Sequence, residues 1–271
     1  MDNEEFYIGW QEGAASGYKK ARKWFFISSI LLLVMFGITY LLVEQKFVES
    51  YFDYGNLTEL TGQIVDYPVF GVKTEQHGEI MTVPLVGFGK FDALPVLEEI
   101  RNRSNGKRFT EIEVTLRGTV IYNKTKMWME LTEGNESIVA ISEREFSDQN
   151  ISQRGSQTIA GEIVDPKCFF GVMNPAYNKI HRSCAIRCIS GGIPPVLAIR
   201  DGERYSDYYF VTDEKGEPIN EAVLQFVGTP VKLSGAVEKV DDWKVIKVSS
   251  PFMSTIQYNY TTEITHCLSY K

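Results

Sequence analysis

The spacing of apolar positions changes character several times along the chain. Trp24 to Val43 is an uninterrupted run of 20 uncharged, mostly apolar residues. That length predicts one helix able to cross the roughly 30 Å hydrocarbon layer of a membrane. From Leu60 onward the apolar residues instead alternate or cluster in short β-rich runs, which predicts strands over 60–65, 111–122, 126–131 and 137–141. Between the first two of these, Leu94, Leu97 and Ile100 recur at helical spacing and predict a helix over 94–103. A polar stretch rich in Ser, Gln and Gly, 142–156, reads as a boundary. Strands are then expected over 158–164, 196–199, 208–212, 231–240 and 243–248, the last two joined by the tight turn Asp241-Asp242.

This second series repeats the first. Gly62-Gln-Ile-Val-Asp66 recurs as Gly161-Glu-Ile-Val-Asp165, and Phe70-Gly71-Val72 as Phe170-Gly171-Val172. Leu94-Pro95-Val96-Leu97 and Pro194-Pro195-Val196-Leu197 stand 100 residues apart, and Val114-Thr-Leu-Arg-Gly118 matches Val231-Lys-Leu-Ser-Gly235. Only the second copy contains Cys168, His181, Cys184 and Cys188. At the 100-residue offset the first copy has Val69 near the first of these (Pro68 within one residue of slip), then Met81, Pro84 and Phe88. The fold is thus expected to need none of these groups, which makes them the leading candidates for function.

About five strands per copy, a long excursion after the first strand and a closing Gly-containing strand followed by a Trp-bearing one resemble the OB-fold, a small five-stranded Greek-key barrel. Val114-Thr-Leu-Arg-Gly-Thr-Val120 and Val231-Lys-Leu-Ser-Gly-Ala-Val237 carry that resemblance. The expected class is mainly β: a transmembrane helix followed by two tandem OB-like barrels. The expected divisions are a tail over 1–23, a helix over 24–43, a linker over 44–57, barrels over 58–145 and 157–250, and a tail over 251–271. A second resemblance rests on Phe6-Tyr-Ile-Gly-Trp-Gln11, on Gly161-Glu-Ile-Val-Asp-Pro-Lys-Cys168 with Gly171-Val-Met-Asn-Pro175, and on His181-Arg-Ser-Cys184-Ala-Ile-Arg-Cys188-Ile-Ser-Gly-Gly-Ile-Pro-Pro195. These runs resemble an uncharacterised bacterial family of single-pass, membrane-anchored periplasmic proteins. The resemblance implies an inner-membrane anchor and a periplasmic domain, and no mechanism.

Charge sets the expected orientation. Lys19, Lys20, Arg22 and Lys23 directly precede the apolar run, so the positive-inside bias places the N-terminus in the cytoplasm and everything beyond about residue 44 outside. A cleaved signal peptide is the competing reading, but the run is longer than the usual apolar region and Glu44-Gln-Lys-Phe47 is a poor cleavage site. The net charge of −7 argues against nucleic acid as a partner. Six Asn-x-Ser/Thr sequons, at Asn56, Asn102, Asn123, Asn135, Asn150 and Asn259, keep a eukaryotic secretory type II protein as a minority reading.

Cys168, His181, Cys184 and Cys188 form C-x12-H-x2-C-x3-C. On a helix the last three share a face, with Cys168 closing the set from the end of a strand. Three thiolates and an imidazole suit zinc, or copper(I) with Met173 as an extra soft donor. Lys167, His181, Arg182 and Arg187 could instead lower a thiol pKa for thiol–disulfide chemistry. A structural disulfide is the third reading, with Cys267 as the fourth cysteine. Gly191, Gly192, Pro194 and Pro195 form a loop that either cradles a ligand or partner or simply makes a demanding turn. Asp66 and Asp165, at equivalent positions, read as a repeated turn or cap, His77 as solvated and His266-Cys267 as tail. No P-loop, dinucleotide fingerprint, G-x-S-x-G or H-E-x-x-H is present, so an ordinary enzyme is not expected. The expected function is a membrane-anchored periplasmic accessory or assembly protein for a respiratory or redox complex, with other membrane proteins as partners. The alternatives are a metal or thiol handler, by analogy with the anchored OB-fold haem chaperone of cytochrome c maturation (whose haem-attachment histidine motif is absent here), and a peptide- or glycan-binding module.

Overall fold

The computed structural model describes residues 16–44, 50–76, 78–123, 126–201 and 204–255. Two compact units divide the chain, Met1–Phe47 and Val48–Lys271. Within the first, helix α1 spans Ser16–Glu44, and its stretch Ser16–Val43 is long and apolar enough to cross a membrane. Ser28 and Thr39 return their hydroxyls to the carbonyls of Phe25 and Met35, so their polar groups are satisfied within the helix.

In the second unit, strands β1 (Ser50–Phe52), β2 (Thr58–Val65), β3 (Gly71–Gln76) and β4 (Glu79–Gly87) lead to helix α2 (Leu94–Arg103). Strands β5 (Ile112–Asn123), β6 (Met127–Leu131) and β7 (Ile138–Glu143) follow. The ring runs β2-β3-β4-β6-β5 and closes on β2, with β4 and β6 parallel and the other neighbours antiparallel. Strands β1 and β7 add to β5 outside the ring. The expected linker therefore contains a strand, and the expected strand at 137–141 lies beside the barrel. Alternation along β5 buries Ile112, Val114 and Leu116 against Val96, Leu97 and Ile100 of α2.

The second ring comprises β8 (Ile151–Val164), β9 (Val196–Asp201), β10 (Arg204–Asp213), β11 (Pro230–Val240) and β12 (Trp243–Thr255). It runs β8-β9-β10-β12-β11 and closes on β8, with β10 and β12 parallel. Both rings thus follow one five-strand order, 1-2-3-5-4, the Greek-key arrangement of an OB-like barrel.

Glycines explain why two of the repeated motifs match. A Cβ on Gly62 would overlap the Lys73 carbonyl of β3, and one on Gly161 the Ala198 carbonyl of β9. Gly118 meets Glu130 of β6 in the same way, and Gly235 meets Lys247 of β12. Each barrel closes where backbones cross too tightly for a side chain. The other two matches do not hold: Leu94–Leu97 opens α2 after the third strand, whereas Val196 begins the second strand of the other barrel. Residues 165–195 are an insertion between the first two strands of the second barrel, where the first has only 66–70. The cysteines therefore have no counterparts in the first barrel, and Val69, Met81, Pro84 and Phe88 are not their equivalents.

The two barrels share a core. Trp128 of β6 and Trp243 of β12, both on fifth strands, meet edge to face at 5.7 Å, with Phe170 and Phe210 packed around them. The indole of Trp243 donates to the Thr82 carbonyl at 2.8 Å. The β11–β12 turn docks on the first barrel: Lys73 pairs with Asp241 at 2.8 Å, and Lys126 pairs with Asp242 at 3.0 Å.

Candidate functional site

The insertion begins at Asp165, a fully buried residue at the end of β8. Its Oδ1 accepts from the backbone amides of Lys167 (3.0 Å) and Cys168 (3.4 Å), capping the turn that follows. That turn is π-helical over Cys168–Val172. It is held by Phe170, stacked on Trp128 at 5.9 Å and edge-on to Tyr208 at 4.8 Å, so Cys168 cannot swing freely. Helix α3 (Asn178–Ser190) then buries His181, Ala185, Cys188 and Ile189 on one face and leaves Cys184 half-buried. The Asn220 amide pins the end of α3 through the carbonyls of Ile189 (2.8 Å) and Ile193 (2.9 Å).

All four residues of the expected set lie together, yet they do not form one sphere. The sulfurs of Cys168, Cys184 and Cys188 lie within 4.8 Å of one another. A second group, Asp165, Cys168 and His181, also converges within 4.8 Å. His181 faces Asp165, Nε2 to Oδ2 at 4.0 Å, and both atoms are buried with no hydrogen-bond partner among the described residues. The three cysteines are free thiols, and Cys267, His266 and His77 lie outside the described residues.

The first barrel completes the centre. Lys90, on the loop after β4, donates to Cys184 Sγ at 2.9 Å and to Cys188 Sγ at 3.6 Å. The bond to Cys184 raises the pKa of Lys90. A hydrogen bond between Cys168 and Cys188 pushes the Cys168 thiol up and draws Cys188 down, with burial adding to the first and the Lys90 charge to the second. Cys188 is thus the favoured thiolate of this pair.

Lys167 is not a neighbour of the sulfurs in this network; it fastens the barrels together. Its side chain is 4% exposed, and its ammonium donates to the carbonyls of Gly87 (3.0 Å) and Gly89 (2.6 Å) and pairs with the similarly buried Glu130 at 2.6 Å. Gly191 and Gly192 receive the same first-barrel loop: a Cβ on Gly191 would overlap the Lys90 carbonyl, and one on Gly192 (φ +101°) the Asp92 carboxylate. Asp92 N donates to the Gly191 carbonyl at 3.2 Å. Pro195 is buried at the entry to β9, Pro194 half-buried, and Met173 and Arg187 are exposed. Lys90 itself was invisible to spacing, since it lies in the other repeat. Asp165 was visible as a cap, and it is one; its second oxygen has no sequence signature. Its counterpart Asp66 is exposed and pairs with Arg101 at 3.4 Å.

No family model, curated protein or solved structure matches the chain.

Proposed function

We propose that this chain is a membrane-anchored accessory protein that holds a soft or borderline metal, zinc or copper, in the Asp165/Cys168/His181/Cys184/Cys188 centre. The observation that carries this reading is the pair of orphaned buried atoms, His181 Nε2 and Asp165 Oδ2, on residues whose ligating atoms converge with the Cys168 sulfur within 4.8 Å. Leaving a buried polar atom unpaired costs about 1–3 kcal/mol, and a cation bound between them removes both penalties. Imidazole, carboxylate and thiolate are together a zinc or copper donor set. With α1 as anchor and the basic residues before Trp24 inside, the barrels stand on the non-cytoplasmic side, the periplasm in a bacterium. Exposed Phe88 and Phe91, either side of Lys90, offer an apolar surface to a partner, in our reading a respiratory or redox complex of the same membrane.

The test is elemental analysis of the full chain, produced in an oxidising compartment and purified in detergent. Stoichiometric zinc or copper that is lost in Cys168→Ser supports the reading, and a metal-free protein overturns it. A second reading, thiol–disulfide handling, draws on Lys90 beside the half-exposed Cys184. It expects a metal-free chain whose Cys184 forms a mixed disulfide with a small-molecule disulfide probe.

A further inference from the structure

Resting on the metal reading above, we infer that the centre takes two metal ions, with the Cys168 thiolate shared between them. The donors fall into two sets of three, Asp165/Cys168/His181 and Cys168/Cys184/Cys188, with only Cys168 common to both. A single tetrahedral ion with bonds of about 2.0–2.3 Å needs its donors within about 3.3–3.8 Å of one another. Each set lies within 4.8 Å and has to draw in by about 1 Å to reach that size. The five donors do not form one such group, since Asp165 and His181 converge with Cys168 but not with all three sulfurs, and four of the five sit on rigid supports: three on α3 and one on the π-helical turn.

Charge points the same way. Three thiolates and one carboxylate carry four negative charges, the complement of two divalent ions. One ion in the three-cysteine set would leave Asp165, fully buried, facing an unpaired imidazole nitrogen at 4.0 Å. One ion in the other set would leave Cys184 and Cys188 with Lys90 as the cation beside them. An unbalanced buried charge is costly, so filling either half favours filling the second. Lys90 is half-buried on a flexible stem, and its displacement from the sulfurs opens the three-cysteine side. Each ion would keep three protein donors, which leaves one position open for a ligand or for handover.

The experiment is native mass spectrometry of the full chain in detergent, stripped of metal and titrated with Zn2+, then repeated with Cd2+. The expected result is two ions per chain in the wild type. Asp165→Asn and His181→Ala should each hold one, Cys184→Ser one, and Cys168→Ala none at the same free metal. Asp165→Asn retains the Oδ1 acceptor for the Lys167 and Cys168 amides, so the fold survives, and far-ultraviolet circular dichroism of each variant confirms it. One ion in the wild type would overturn the two-ion centre and leave the metal reading standing. No bound ion would overturn both.

Discussion

Glu238 and Tyr67 show how a single pair of side chains links the barrels to pH. Tyr67, from the first barrel, donates to the Glu238 carboxylate of β11, which also receives Gln153 Nε2 (2.9 Å) and Lys247 Nζ (3.1 Å). Burial alone would raise the Glu238 pKa, but these three bonds overcome it and hold the carboxyl below its ordinary value. Burial, then the bond to Glu238, raises the Tyr67 phenol. A lowered carboxyl stabilises the fold at pH values above its unfolded pKa, about 4.3, and that stability is lost as pH falls through the folded value. A raised phenol acts in reverse: its contribution is complete below about pH 10 and is lost as pH rises beyond it. Glu238→Gln should therefore flatten the acid limb of a Tm-against-pH curve, and Tyr67→Phe the alkaline limb. Acid and alkaline limbs parallel to the wild type would show that the pair is not linked to folding.

At the scale of elements, the fit between α3 and the first barrel depends on having no side chain at the helix exit. Gly191→Ala places a methyl against the Lys90 carbonyl, and overpacking of this kind costs about 1–3 kcal/mol. A lower denaturant midpoint with an unchanged slope is the expected readout. The neighbouring Ser190, exposed at the end of α3, should tolerate alanine within about 0.5 kcal/mol. These two positions also show what sequence could and could not convey. Strand alternation in β5, helical spacing in α2, and the closure glycines 62, 118, 161 and 235 are local signals, and all were legible. Strands β3 and β4 escaped because buried runs such as Thr82–Gly87 do not alternate. The pattern at 94–97 and 194–197 misled, because Pro-Val-Leu serves equally to start a helix or enter a strand. The Cys/His set was legible as a cluster, but its division into two donor groups depends on how the insertion folds over Cys168. The role of Lys90 and of the paired glycines required a contact between repeats, which no local spacing encodes.

For the molecule as a whole, the shared aromatic core makes the barrels one folding unit. Trp128, Phe170, Phe210 and Trp243 are almost fully buried, yet Trp128 comes from one barrel and the other three from the second or its insertion. Separating the barrels would expose all four rings. Unfolding should therefore be a single transition in which tryptophan fluorescence and far-ultraviolet circular dichroism coincide. Trp128→Ala should destabilise that transition by about 3–5 kcal/mol. Two resolved transitions would show that the interface contributes little and that each barrel folds alone.

The placement of Lys90 has a consequence for how such a protein could change over generations. One barrel carries the insertion that bears Cys168, Cys184 and Cys188, while the other supplies the loop whose Lys90 covers them. Substitutions on that loop can alter how tightly the sulfurs are guarded without touching a donor or the turn that holds it. The sulfurs and the cation that covers them are thus inherited on separate stretches of the gene, and selection can adjust one while leaving the other intact.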